Sequence, residues 1–105
     1  MRKVMPKRPI HPGEILGDEL KDLGVSPTEL ARQIAVPPNR LSQIVSGKRA
    51  ITGDTALRLG HWFGTSAQFW LNLQSAYEIE TAAPLLAREL ARLPRRKSTA
   101  EKRSA

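Results

Sequence analysis

A chain of 105 residues is long enough for one modest core and too short for two. With no cysteine it has neither a disulfide framework nor a thiolate metal site, and no apolar run approaches the ~20 residues of a membrane-spanning helix. The formal net charge of +7 divides unevenly, with +4 in residues 1–10, +4 in residues 94–105 and −1 in between.

The opening MRKVMPKRPIHPGEIL is basic, but Pro6, Pro9 and Pro12 break it before a secretory core forms, so a cytoplasmic protein is expected. Each basic tail reads either as a solvated end or as an arm that follows a phosphate backbone. In HPGEILGDELKDLG, Ile15, Leu16, Glu19, Leu20 and Leu23 mark one helical face, with Pro12 or Gly13 near its start and Gly24 as a left-handed stop. Ser26, Pro27 and Glu29 form an S-x-x-E capping box with proline at the first helical position, ahead of the apolar stripe Leu30, Ala31 and Ile34. A third helix is predicted from Pro38 to Gly47, with Leu41, Ile44 and Val45 facing inward. Thr52 is expected to cap a fourth through TGDTALRLGHWF, burying Ala56, Leu57, Leu59, Gly60 and Phe63 before Gly64 ends it. A fifth starts at Thr65 or Ser66 and carries Phe69, Trp70, Leu73, Ala76 and Tyr77 on one side. Pro84 is expected to open a short sixth segment, LLARELARL, with Leu86, Leu90 and Leu93 in line. No alternating strand pattern and no internal repeat compete, so the fold class is all-α. The divisions are a basic tail (1–10), a helical domain (11–80), a helical extension (81–93) and a second basic tail (94–105).

The second and third helices are joined by so few residues that they cannot lie antiparallel, which is the condition for a helix-turn-helix. Val36 and Pro37 precede prolines and are held extended, while the ring of Pro38 suits a first helical turn. With Leu41, Ile44 and Val45 turned inward, Asn39, Arg40, Ser42, Gln43 and Ser46 remain outside. That face has the chemistry of a major-groove reader, since Asn and Gln pair with adenine and Arg with guanine. Lys48 and Arg49, past the end of the helix, are placed for flanking phosphates, as are the amides and hydroxyls at Ser26 and Thr28.

HPGEIL at 11–16, the helix-turn-helix at 26–49 and the run TALRLGHWFGTSAQFWLNLQSAYEIE at 55–80 together resemble the HigA family of antitoxins, which are VapI-like members of the phage-repressor, XRE-type helix-turn-helix proteins. The resemblance spans about residues 9–80. It implies a compact five-helix, lambda-repressor-like DNA-binding core that acts as a homodimer and represses its own operon at a palindromic operator. It further implies binding of a RelE-like, HigB-type toxin that cleaves mRNA, with no cofactor and no catalysis in the antitoxin. Carried over by position, Pro38, Asn39, Arg40, Ser42 and Gln43 match the recognition-helix positions, and Lys48 and Arg49 the basic loop after it. The double proline departs from the more usual polar pair at the turn, and the tails lie outside the resemblance.

The fifth helix is the candidate dimer surface. Phe69 and Leu73 are assigned to the core, while Trp62, Trp70 and Tyr77 are assigned to a partner interface, where large amphipathic rings are enriched. Enzyme readings find no support: His11 and His61 lie in no metal or triad spacing, and Asp18, Glu19, Asp22, Glu78 and Glu80 read as solvated faces. No glycine loop of the phosphate-cradling kind is present. Two other readings stand beside the antitoxin: a stand-alone repressor without a toxin, and an interaction module that has lost DNA binding.

Overall fold

A computed structural model describes residues 8–97 of the chain, so Arg2, Lys3, Lys7, Lys102 and Arg103 of the basic tails lie outside the described residues. Five helices follow in order: α1 (Pro12–Leu23), α2 (Pro27–Gln33), α3 (Pro38–Val45), α4 (Gly53–Phe63) and α5 (Ala67–Arg92). No strand occurs among the described residues.

The ends of these helices follow from local chemistry. His11 caps α1 from an extended backbone, its Nδ1 accepting the Gly13 amide at 2.9 Å, and Gly24 closes the helix with φ 70°. Ser26 Oγ accepts the Glu29 amide at 3.0 Å to start α2. The capping box is one-sided, because the Glu29 carboxylate turns forward to Arg32 and Gln33 instead of back to the cap. Pro38 opens α3 at the first helical position, where its missing amide hydrogen costs nothing, and because the N-cap Pro37 has no side-chain acceptor the Arg40 amide donates to the Pro37 carbonyl at 3.0 Å instead. Gly64 ends α4 at φ 76°, and Ser66 Oγ caps α5 on the Phe69 amide.

The core gathers one stripe from each helix: Leu16 and Leu20 of α1, Leu30 and Ala31 of α2, Leu41 and Ile44 of α3, Ala56 and Leu59 of α4, and Trp70 of α5. Ile34, Val36 and Ile51 complete it from the connections. Within it α2 packs on α3, α3 on α1, α4 on α5, and α1 on α5. Gly13 is where α1 meets α3, since a Cβ there would fall 1.7 Å from the Ile44 carbonyl oxygen.

Four expectations are corrected. Trp70 is 1% exposed and belongs to the core, whereas Phe69 is 42% exposed. The inward line of α5 runs through Trp70, Gln74, Tyr77 and Thr81, and because Gln74 and Thr81 are polar, apolar spacing rotates the predicted face by one residue. Leu57 and Leu23, placed on apolar faces by their periodicity, are largely exposed. No separate sixth helix begins at Pro84: α5 continues through it to Arg92. The bond that Pro84 cannot donate would have gone to the carbonyl of Glu80, an exposed residue, where solvent rather than a packed neighbour faces the gap, so the helix continues.

Candidate nucleic-acid interface

The turn between α2 and α3 is built from residues 34–37. Ile34 ends α2, Ala35 takes a left-handed φ of 59°, Val36 drops into the core, and Pro37 runs extended into α3. Arg58 of α4 stabilises this turn, its Nη1 donating to the Ile34 carbonyl at 2.9 Å and reaching the Ala35 carbonyl at 3.4 Å. Its Nε donates to Asp54 Oδ1 at 2.8 Å, and chiefly this bond holds the Asp54 carboxyl below the usual carboxylate range. The same carboxylate lies 3.4 Å from Arg40 Nη1 on α3. Asp54 thus links α3 to the arginine that pins the turn before it.

Beyond the turn, the residues predicted to contact DNA fall into three groups. Pro38 and Asn39 are exposed at the start of α3, beside the exposed Ser26 and Thr28 at the start of α2, and Lys48 and Arg49 are exposed past its end. Ser42 and Ser46 are exposed too, but their hydroxyls donate to the Asn39 and Gln43 carbonyls of their own helix, each at 3.1 Å. Arg40, expected to point outward, is drawn sideways onto Asp54 and Thr55 of α4, with its side chain 27% exposed. Gln43 is half-buried, and its Oε1 accepts from Arg49 Nε at 2.9 Å.

A left-handed Gly47, φ 81°, turns the chain from α3 into the Lys48–Arg49 loop. Two buried polar residues then hold this loop to the rest of the fold. Gln74 of α5 accepts the Ile51 amide at 2.8 Å and donates to Glu78 at 2.8 Å. His11 lies beside Gly47, where a Cβ would come within 3.9 Å of its ring, and meets the ring edge of Tyr77 at 4.8 Å. Burial holds the His11 imidazole below its ordinary value, against smaller opposing pulls from Glu14 and the Arg49 backbone. Sequence reasoning placed His11 in the turn before α1, where it lies, but missed Gln74 altogether, because a buried amide interrupts the apolar pattern that would reveal it.

Each of the three aromatic residues assigned to an interface makes a contact within the chain, and Trp70 is buried. Trp70 donates to Thr65 Oγ1 at 3.1 Å and stacks obliquely on Phe63. Trp62 is half-buried and donates to Gln33 Oε1 at 2.8 Å, tying α4 to the end of α2. Tyr77 is half-buried against His11. Besides Ile10, Leu23, Leu57 and Phe69, the large apolar side chains left exposed lie further along α5, at Ile79, Leu85, Leu86, Leu90 and, just past its end, Leu93. Among the described residues no cluster of histidine and acidic side chains is arranged to hold a metal ion, and no helix is long and apolar enough to cross a membrane.

Comparison with known proteins agrees with this architecture. The helix-turn-helix family model HTH_3 matches residues 16–70. Virulence-associated protein I of Dichelobacter nodosus is 53% identical over 74 residues, covering 70% of this chain and 68% of that protein. Among solved structures, a HigA-family addiction module antidote protein from Coxiella burnetii superposes with a TM-score of 0.82 at 47% identity, over 87% of this chain and all of that one. The Pseudomonas aeruginosa antitoxin HigA, solved with the higBA promoter, superposes with a TM-score of 0.79 at 46% identity, over 83% of this chain and 97% of that one. The chain belongs to the HTH_3 helix-turn-helix family and, within it, to the HigA antitoxins.

Proposed function

We propose that this protein is the antitoxin of a toxin–antitoxin pair, which represses its own operon by binding a palindromic operator and neutralises an mRNA-cleaving, RelE-like toxin by direct contact. The observation that carries the DNA-binding part is the polar surface on and just beyond α3, where Asn39, Lys48 and Arg49 are exposed beside the half-buried Gln43, in a family whose Pseudomonas aeruginosa member was solved with the higBA promoter. In this reading Asn39 and Gln43 meet base edges, while Lys48, Ser26 and Thr28 meet phosphates. Arg40 reaches the backbone beside α4, where Asp54 holds it. The toxin part is supported by membership in the HigA family.

A homodimer completes this reading, and the outer half of α5 supports it. Ile79, Ala82, Leu86, Leu90 and Leu93 form one stripe whose spacing is symmetric about Leu86. A second copy laid antiparallel on this stripe sets Ile79 against the partner's Leu93, Leu86 against the partner's Leu86, and Glu80 near the partner's Arg92. Each contact recurs with the roles exchanged, as a two-fold interface demands.

The decisive experiment is a gel-shift titration of the purified protein against its own upstream region and a scrambled duplex of equal length, at two salt concentrations. Preference for the upstream region that persists at the higher salt is the expected result; equal, salt-sensitive binding to both duplexes would leave only non-specific phosphate contacts. Copurification with the product of a toxin-sized neighbouring reading frame tests the second activity.

A further inference from the structure

Two of the side chains best equipped to read bases are already joined to each other. Arg49 Nε donates to Gln43 Oε1 at 2.9 Å. Chemistry alone fixes the orientation of that amide: a guanidinium has five N–H donors and no acceptor, so the atom facing it is the oxygen. The Gln43 backbone carbonyl is also engaged, by the Ser46 hydroxyl at 3.1 Å. What the pair turns outward is therefore the amide NH2 of Gln43 and the remaining N–H groups of Arg49, all of them donors.

A free glutamine reads adenine with both ends of its amide, the oxygen accepting from N6 and the nitrogen donating to N7. Here a cation stands on the oxygen side, where it both occupies the approach of the adenine amino group and repels its positive edge. Guanine has the opposite requirement, presenting two acceptors, N7 and O6, in the major groove. We infer that Arg49 sets the base preference of Gln43, so that the pair selects guanine at the position where an unpaired glutamine would select adenine. Arg49 is then a specificity-determining residue and not only a contact to phosphate. The inference rests on the operator-binding reading above and goes beyond it.

The test is selection from a duplex library randomised across the half-site, with the full-length protein and three variants. Gln43→Ala identifies the position by flattening its preference, and the wild-type protein favours guanine there over adenine by about tenfold or more. Arg49→Ala releases the amide and converts the same position to adenine. Lys48→Ala lowers binding to all sequences alike and leaves every preference in place. Lys48 and Arg49 are exposed and Gln43 is half-buried outside the core cluster, so the variants should unfold at a midpoint close to that of the wild type. Adenine at this position in the wild type overturns the inference, as does an Arg49→Ala protein that still selects guanine with uniformly weaker binding. A wild type that enriches no sequence at all overturns the operator reading itself, and the inference with it.

Discussion

His11 accepts the Gly13 amide on Nδ1, so the proton of the neutral ring belongs on Nε2, and taking up a second proton would destroy the cap of α1. Burial lowers the folded-state value below 6.5. The unfolded chain therefore binds a proton as the pH falls through that value while the folded one resists, and the stability that His11 contributes above 6.5 is lost progressively below it. Thermal unfolding between pH 7.5 and 5.5 should show a falling midpoint. In a His11→Asn protein, where an amide oxygen replaces the cap and nothing titrates, that part of the decline should vanish; an unchanged slope would remove His11 as its source. Glu14, Glu29 and Asp54, all held below their usual values by arginine partners, act in the same direction but only at more acid pH. The sequence exposed the position of His11 because proline and glycine follow it, yet its burial was not legible. That depends on Tyr77 and Gly47, which are distant in the chain and meet it only in the fold.

Among the elements, the helix starts were the most readable part of the sequence, since four of the five are a local matter of His, Ser or Pro at the start; at α4 Thr52 takes the cap position but its side chain makes no cap bond. The faces were less so wherever a polar residue replaced an apolar one, as Gln74 does between Trp70 and Tyr77. The extent of α5 escaped prediction for another reason: Pro84 is a strong stop in a packed helix and a weak one where solvent replaces the missing bond. The turn between α2 and α3 holds a further element-scale test. Ala35 sits in the left-handed region without being glycine, a strain of about 1 kcal/mol that the Arg58 contacts help to hold in place. Ala35→Gly should raise the urea midpoint by an amount corresponding to about 1 kcal/mol, and Ala35→Val should lower it. A stability lowered by glycine would mean that the turn relies on the alanine methyl and not on its backbone.

For the whole molecule, fold and site differ in what a sequence can disclose. The core is a sum of helical stripes and was largely legible. The site is a set of side-chain pairings, Arg40 with Asp54, Arg49 with Gln43 and Trp62 with Gln33, each joining residues that no local pattern connects. The same holds for the dimer surface proposed above, because the exposed aliphatic stripe on the outer half of α5 stands out only once Trp70 is seen to be buried. Leu86→Glu places like charges face to face at the centre of the proposed two-fold contact. It should turn a dimer into a monomer in sedimentation equilibrium and weaken operator binding, while leaving the monomer folded, because Leu86 is exposed in the single chain and lies outside the core cluster. A dimer that persists in this variant would place the contact elsewhere.

At 1.5 Å per residue, the 26 residues of α5 make a rod about 39 Å long, rooted in the core at Trp70 and free at Arg92. In the proposed dimer that rod is a ruler. The distance between the two DNA-reading helices is set by where one rod crosses the other, far from any base, so operator spacing and operator sequence are written in different parts of the chain. Moving the leucine stripe by one turn along α5 in both copies would slide the two rods past each other by about 11 Å, and so retune the gap between half-sites without altering a single contact to DNA.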